Sequence, residues 1–194
     1  MAKRNRRDEI MRAAEKLFTG PRFDEITLDH VVQEARVGKG TVYRYFEDKD
    51  DLFFQTATRG FDEMCDLLAG KVPEEAPFPR RLLGACREIG AFFRRRRQLL
   101  RMMQSEEARM HWRRPEIRER WLARRRRLVA ALAAILAQGV REGMVRRDVR
   151  PEVLAGFLLG MLRTRARDLA DTPARERNLK RVVDLFLAGA GRTA

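Results

Sequence analysis

Residues 27–46 read Thr27-Leu28-Asp29-His30-Val31-Val32-Gln33-Glu34-Ala35-Arg36-Val37-Gly38-Lys39-Gly40-Thr41-Val42-Tyr43-Arg44-Tyr45-Phe46. Leu28, Val31, Val32 and Ala35 recur at the three- and four-residue spacing of one buried helix face. Thr27 stands just before them, where a hydroxyl can accept from the free N–H groups of a first turn. Arg36-Val37-Gly38 makes a turn, and a second short helix runs from about Gly38 to Tyr45 with Val42 and Phe46 facing in. Upstream, Ile10, Ala13, Ala14, Leu17 and Phe18 line one face of a first helix, which Gly20-Pro21 stops. Three helices within 46 residues, the last two joined by a tight turn, match a helix-turn-helix.

The outer face of the third helix carries Gly38, Lys39, Gly40, Thr41 and Arg44, all small or polar. Such a helix can enter a major groove end-on while its partner crosses the backbone. Gly40 leaves room for close approach to base edges, and Lys39 can donate to guanine O6 and N7. Thr41, Tyr43, Tyr45 and Lys49 carry donors suited to phosphate oxygens. Phe46 is expected in the core, and Tyr43 and Tyr45 are read as either DNA-facing or core. The basic start (Lys3, Arg4, Arg6, Arg7) suits either a frayed tail or a phosphate arm.

Helical periodicity continues outward. A long helix begins near Asp48-Lys49-Asp50, its acidic residues suiting the helix dipole, with Phe53, Ala57, Phe61, Met64 and Leu68 on one stripe. Residues 70–79 hold three prolines and read as a loop. Leu82, Cys86, Ile89 and Phe93 form the next stripe, and residues 99–110 suit a short bent helix. Ile117, Trp121, Leu128, Leu132, Ile135 and Leu136 line a long helix expected to end at Gly139 and Gly143. Pro151 opens another, with Leu154, Phe157, Leu158 and Met161 on one side. Asp171-Thr172-Pro173 looks like a stop and a fresh start, leading to Leu179, Val182, Val183, Phe186 and Ala190. The fold class expected is all-α: about nine helices, an N-terminal helix-turn-helix domain over 1–48 and a helical body over 49–194.

Two features of the body invite a role. Phe61, Met64, Leu68, Phe93, Met103, Met110, Trp112 and Trp121 bring adaptable sulfur and flat rings together, which suits plain core or a pocket for a lipophilic ligand. The last two helices carry long apolar faces without obvious cover, and Gly156 and Gly160 permit close helix contact. Leu154, Phe157, Leu158, Met161, Val182, Val183 and Phe186 are therefore expected at a two-fold, four-helix homodimer interface.

The net charge of +14 points toward an anionic partner, yet residues 1–50 hold 11 Lys/Arg against 10 Asp/Glu. The surplus sits in runs such as Arg94–Arg97 and Arg124–Arg127, which read as solvated helix faces or as a means of attracting DNA or an anionic effector. His30, His111, Cys65 and Cys86 form no cluster at metal spacing, and no nucleophile motif is present, so neither metal, cofactor nor enzymatic activity is expected. Two cysteines, no secretory signal and no apolar run of spanning length point to a cytoplasmic protein without a membrane partner.

From Thr27 through Lys39-Gly40-Thr41-Val42-Tyr43-Arg44-Tyr45-Phe46 to Lys49-Asp50-Asp51-Leu52, the sequence resembles the DNA-binding domain of the TetR family of transcriptional regulators. The segment Gly143 to Glu152 is similar to the join before that family's dimer helices. The resemblance implies a ligand-responsive repressor that binds a palindromic operator in double-stranded DNA as a dimer. It implies that Thr27 contacts a phosphate, that Lys39 and Gly40 face bases, and that Thr41, Tyr43, Tyr45 and Lys49 grip the backbone. It implies a small-molecule effector in a cavity among helices four to seven. Arg36 departs from the glycine usual in that turn, adding a cation near DNA and a cost of about 1 kcal/mol if left-handed. Gly38 departs from a usual serine. The other reading these departures leave is a small-molecule or protein-binding helical module with a weakened DNA-binding head.

Overall fold

The computed structural model describes residues 6–18, 25–102 and 115–191. Its helices are α1 (Arg6–Phe18), α2 (Leu28–Ala35), α3 (Lys39–Tyr45), α4 (Lys49–Lys71), α5 (Phe78–Arg95), α6 (Pro115–Arg141), α7 (Pro151–Arg167) and α8 (Leu179–Ala190). Residues 97–102 are helical as well, so the described residues hold the nine helical segments that periodicity predicts. Among them the sheet-like pairing is one isolated bridge, Val145 with Gly191. No described helix is long and apolar enough to cross a membrane. The expected stop at Gly20-Pro21, most of the expected helix over 99–110 and the side chain of Ile117 lie outside the described residues.

The chain forms two compact units, residues 1–60 with 96–122 and residues 61–95 with 123–194. In the first, Ile10, Ala14 and Phe18 of α1, Leu28 and Val31 of α2, and Val42 of α3 join Phe46, Leu52, Phe53, Ala57 and Met102 in one core. The Phe18 and Phe53 rings meet at 5.3 Å and 59°. Arg59 of α4 pairs with Asp8 of α1 at 3.0 Å. Val42 and Phe46 are essentially inaccessible. Burying such side chains stabilises by about 1.5–3 kcal/mol each, so this pair fixes which face of α3 turns outward.

In the second unit α5 packs against α7 and α8, and those two pack on each other. Phe78, Leu82, Cys86, Ile89 and Phe93 of α5 are buried there. The end of α6 is tied in by Arg81 Nη1 donating to Gln138 Oε1 at 2.7 Å and by Phe78 N donating to Glu142 Oε2 at 3.3 Å. Gly139 does not end α6, which runs on to Arg141. A methyl at residue 139 would sit 2.6 Å from Val145 Cγ2 and 2.7 Å from the Phe78 ring, so glycine is there for packing. The turn itself falls at Gly143, with φ 72°. Pro173 does not open the last helix either. Turns fill 168–178, and α8 starts after Asn178, whose side-chain oxygen accepts from Lys180 N at 2.8 Å. Both cysteines are free, and burial pushes the Cys86 thiol up to about 12.

Candidate nucleic-acid interface

Thr27 is extended (φ −113°, ψ 164°) and caps α2 reciprocally. Its hydroxyl accepts from His30 N at 3.4 Å, and its own N–H donates to His30 Nδ1 at 3.2 Å. The imidazole takes the place of the carboxylate or amide that usually closes a capping box. Thr27 stays exposed at the N-terminus of α2, where free N–H groups and the helix dipole favour an anion.

The turn after α2 follows from hydrogen bonding. Val37 N donates to Val32 O and Arg36 N to Gln33 O, both at 3.2 Å, the paired bonds of a Schellman motif. Such a motif puts one residue in the left-handed region, and here it is Arg36 (φ 53°, ψ 47°), the one non-glycine with positive φ among the described residues. Val32 and Val37 pack against the core, as the motif's apolar contact requires. Arg36 lines a cleft of about 500 Å³ with Arg6, Arg12 and Lys16 of α1 and with Glu9 and Glu34. Lys16 pairs with Glu34 at 2.6 Å and Arg6 with Glu9 at 2.8 Å.

Gly38 then caps α3 without a side-chain bond. Lys39, Gly40, Tyr43 and Arg44 are exposed, Tyr43 at 49%. A side chain at Gly40 would meet nothing within 4 Å, so the fold itself does not require glycine there. Thr41 and Lys49 are half-buried, and Lys49 begins α4. Tyr45 is half-buried with its ring on the core, under the Arg44 guanidinium at 5.1 Å. Lys39 Nζ lies 2.9 Å from Asp29 Oδ1 and 6.0 Å from the Tyr43 ring centre. The hydrogen bond to Asp29, then its charge, holds the Lys39 ammonium above its usual range. Asp29 was not visible as a functional residue, since only the crossing of α2 and α3 brings it to Lys39.

The other expected sites divide unevenly. Phe61, Met64, Leu68 and Phe93 are buried in the second unit, and Trp121 is buried in the first. Met103, Met110 and Trp112 lie outside the described residues. Of the seven residues expected between subunits, Leu154, Leu158, Val182, Val183 and Phe186 are buried within the chain itself. Met161 is half-buried and Phe157 is 65% exposed. Leu185, which the apolar stripe leaves out, is 62% exposed. Among the described residues no group of three His, Cys, Asp or Glu could hold a metal ion.

A helical chain with a short polar helix held outward by two packed companions is of the helix-turn-helix DNA-binding class. Residues 10–56 match the family model of bacterial regulatory proteins, tetR family, and residues 76–167 match that of the tetracyclin repressor-like C-terminal domain. The chain belongs to the TetR family of transcription regulators, which are DNA-binding proteins and not enzymes. Over 57 residues it is 40% identical to the HTH-type transcriptional regulator HbdR of Aromatoleum sp., covering 29% of this chain and 25% of that one. Over 180 residues it is 26% identical to the HTH-type transcriptional repressor AcnR of Corynebacterium diphtheriae, covering 93% of this chain and 88% of that one. The solved structure of the fatty acid degradation regulator FadR from Bacillus halodurans shares the fold, with a TM-score of 0.81 at 17% identity over 97% of this chain and 98% of that one.

Proposed function

We propose that this regulator is a cytoplasmic, ligand-responsive repressor that binds a palindromic operator as a homodimer, with residues 1–48 reading DNA and 49–194 binding effector and partner. The observation that carries the reading is the split face of α3: Val42 and Phe46 anchor it, while Lys39, Gly40, Tyr43 and Arg44 face solvent. Lys39 reads a base after exchanging Asp29 for it, and Gly40 lets the backbone approach. Thr27, Thr41, Tyr43, Tyr45 and Lys49 bind phosphates, and Arg36 and Arg44 add charge. The repressor named AcnR, similar along most of its length, supports the sign of control.

Dimerisation uses the outer sides of α7 and α8. Side chains at Gly156 and Gly160 would meet nothing within 4 Å, and Phe157 of α7 and Leu185 of α8 are exposed. Phe157, Met161 and Leu185 make the contact, while the five buried neighbours support it from within. Two such heads would sit about 34 Å apart, on successive major grooves. A lipophilic effector held among Phe61, Met64, Leu68 and Phe93 of the second unit shifts the population toward a head spacing that does not fit, and a coupling of about 1–3 kcal/mol suffices.

Selection of bound sequences from random DNA tests the whole reading. A recovered palindrome with half-sites about one helical turn apart is expected. Recovery of no sequence preference, with equal binding to scrambled DNA, would instead fit a helical module with a weakened head.

A further inference from the structure

Arg94 and Arg165 of the second unit bring their guanidinium groups together, and Arg177 lies beside Arg165, with no acid paired to any of them among the described residues. Arg94 lies in the last turn of α5, Arg165 in the last turn of α7, and Arg177 sits in the turns before α8. The Nη1 atoms of Arg165 and Arg94 end 3.7 and 3.9 Å from the point where a side chain at Gly90 would begin, with Leu179 Cδ1 at 3.9 Å beside them. The bare surface of Gly90 is thus the floor on which two guanidinium groups meet.

Two of the three are fixed in place. Arg165 Nε donates to Arg177 O at 2.7 Å, and Arg177 Nε donates to Thr172 O at 2.8 Å. Each is held through its inner nitrogen, which leaves the outer fork to another acceptor. Among the described residues no carboxylate pairs with Arg94, Arg165 or Arg177. Asp168, the nearest acid in sequence to Arg165, is taken by Arg167, and Glu176, next to Arg177, is taken by Arg175. Burial, then the charges of Arg94 and Arg177, hold Arg165 below its usual range, which means that the cations repel one another.

Cations near a helix C-terminus suit its dipole, and that accounts for Arg94 and Arg165 singly. It does not account for their meeting at one glycine with a third arginine anchored alongside. We infer that Arg94, Arg165 and Arg177 form a binding site for a phosphate-class oxyanion carried by a small molecule. Guanidinium forks match such groups bidentately, and three forks offer more donors than the two oxygens of one carboxylate can accept. The site shares no residue with the apolar pocket proposed for the effector and holds whether or not that pocket does.

Calorimetric titration of the full chain, free of DNA and at fixed ionic strength, tests it with inorganic pyrophosphate, inorganic phosphate and acetate. Saturable binding of pyrophosphate is expected, with phosphate weaker and acetate weakest. Arg94→Gln and Arg165→Gln should each weaken pyrophosphate binding by about tenfold or more. Arg126→Gln, an exposed arginine of α6, should leave it unchanged. Arg94 is exposed, so its variant keeps the fold, which circular dichroism verifies. Absence of saturable binding, binding indifferent to Arg94→Gln, equal loss in Arg126→Gln, or acetate binding as tightly as pyrophosphate would each overturn the site.

Discussion

The outer face of α3 and the outer faces of α7 and α8 are both exposed, and they are opposite in kind. The first presents an ammonium, a guanidinium, a phenol and a bare glycine backbone. The second presents Phe157, Leu185 and two glycines that a side chain would leave uncrowded. A polar face can stand in water at little cost, so only its pattern betrays a partner. An exposed phenyl ring and an exposed leucine are costly in water, and that cost itself argues for cover. The lesson is that burial alone ranks these faces wrongly: the residues deepest in the chain are the scaffold, and those left outside are the ones proposed to do the recognising.

The strongest test acts on the apolar face. Phe157→Asp with Leu185→Asp should raise the dimer dissociation constant by roughly a hundredfold or more, read by sedimentation, with helicity unchanged because both residues are exposed. Loss of helicity would mean that they belong to the core after all. Next comes the polar face. Lys39→Ala should weaken operator binding by roughly ten- to a hundredfold and alter base preference in fluorescence anisotropy. Lys49→Ala should weaken all sequences alike and reduce the salt slope by about one. Unaltered preference in the first variant would demote Lys39 to a phosphate contact.

Arg36→Gly sharpens the contrast between structure and recognition at one residue. Relief of the left-handed strain should stabilise the protein by about 1 kcal/mol in urea unfolding, while DNA affinity falls. Unchanged affinity would assign Arg36 to the cleft along α1 alone. The smallest effect is expected from Asp29→Asn, which removes an exposed ion-pair partner of Lys39. Non-specific DNA should bind a few-fold tighter, since the ammonium no longer has to leave a carboxylate. Weaker binding would show that Asp29 orients Lys39 instead of restraining it.

Much of the head was legible because its signals are local. The spacing Leu28, Val31, Val32, Ala35 names a buried face, Thr27 names a cap, and Arg36-Val37-Gly38 names a turn, whose left-handed residue the hydrogen bonds then fix as Arg36. The Lys39–Asp29 pair was hidden because it depends on how two helices cross. The body was legible in its helices and less so in its surfaces. An apolar stripe says that a face is covered but not by what, so Leu154, Leu158, Val182, Val183 and Phe186 were expected to meet a second chain and instead meet their own. Leu185 was missed for the converse reason, lying off the stripe. Pro173 misled because proline suits a first helical turn, yet Asn178 supplies the cap that starts α8.

Gly139 reaches further than one position. The space it vacates is filled by Phe78 from the start of α5 and by Val145, which bridges to Gly191 while Arg146 N donates to Ala190 O at 3.0 Å. Three stretches of chain far apart in sequence, around residues 78, 139–146 and 190–191, therefore interlock at a gap one methyl wide. They should open to solvent hydrogen exchange together, as a single cooperative patch, and alanine at 139 should release protection at all three at once.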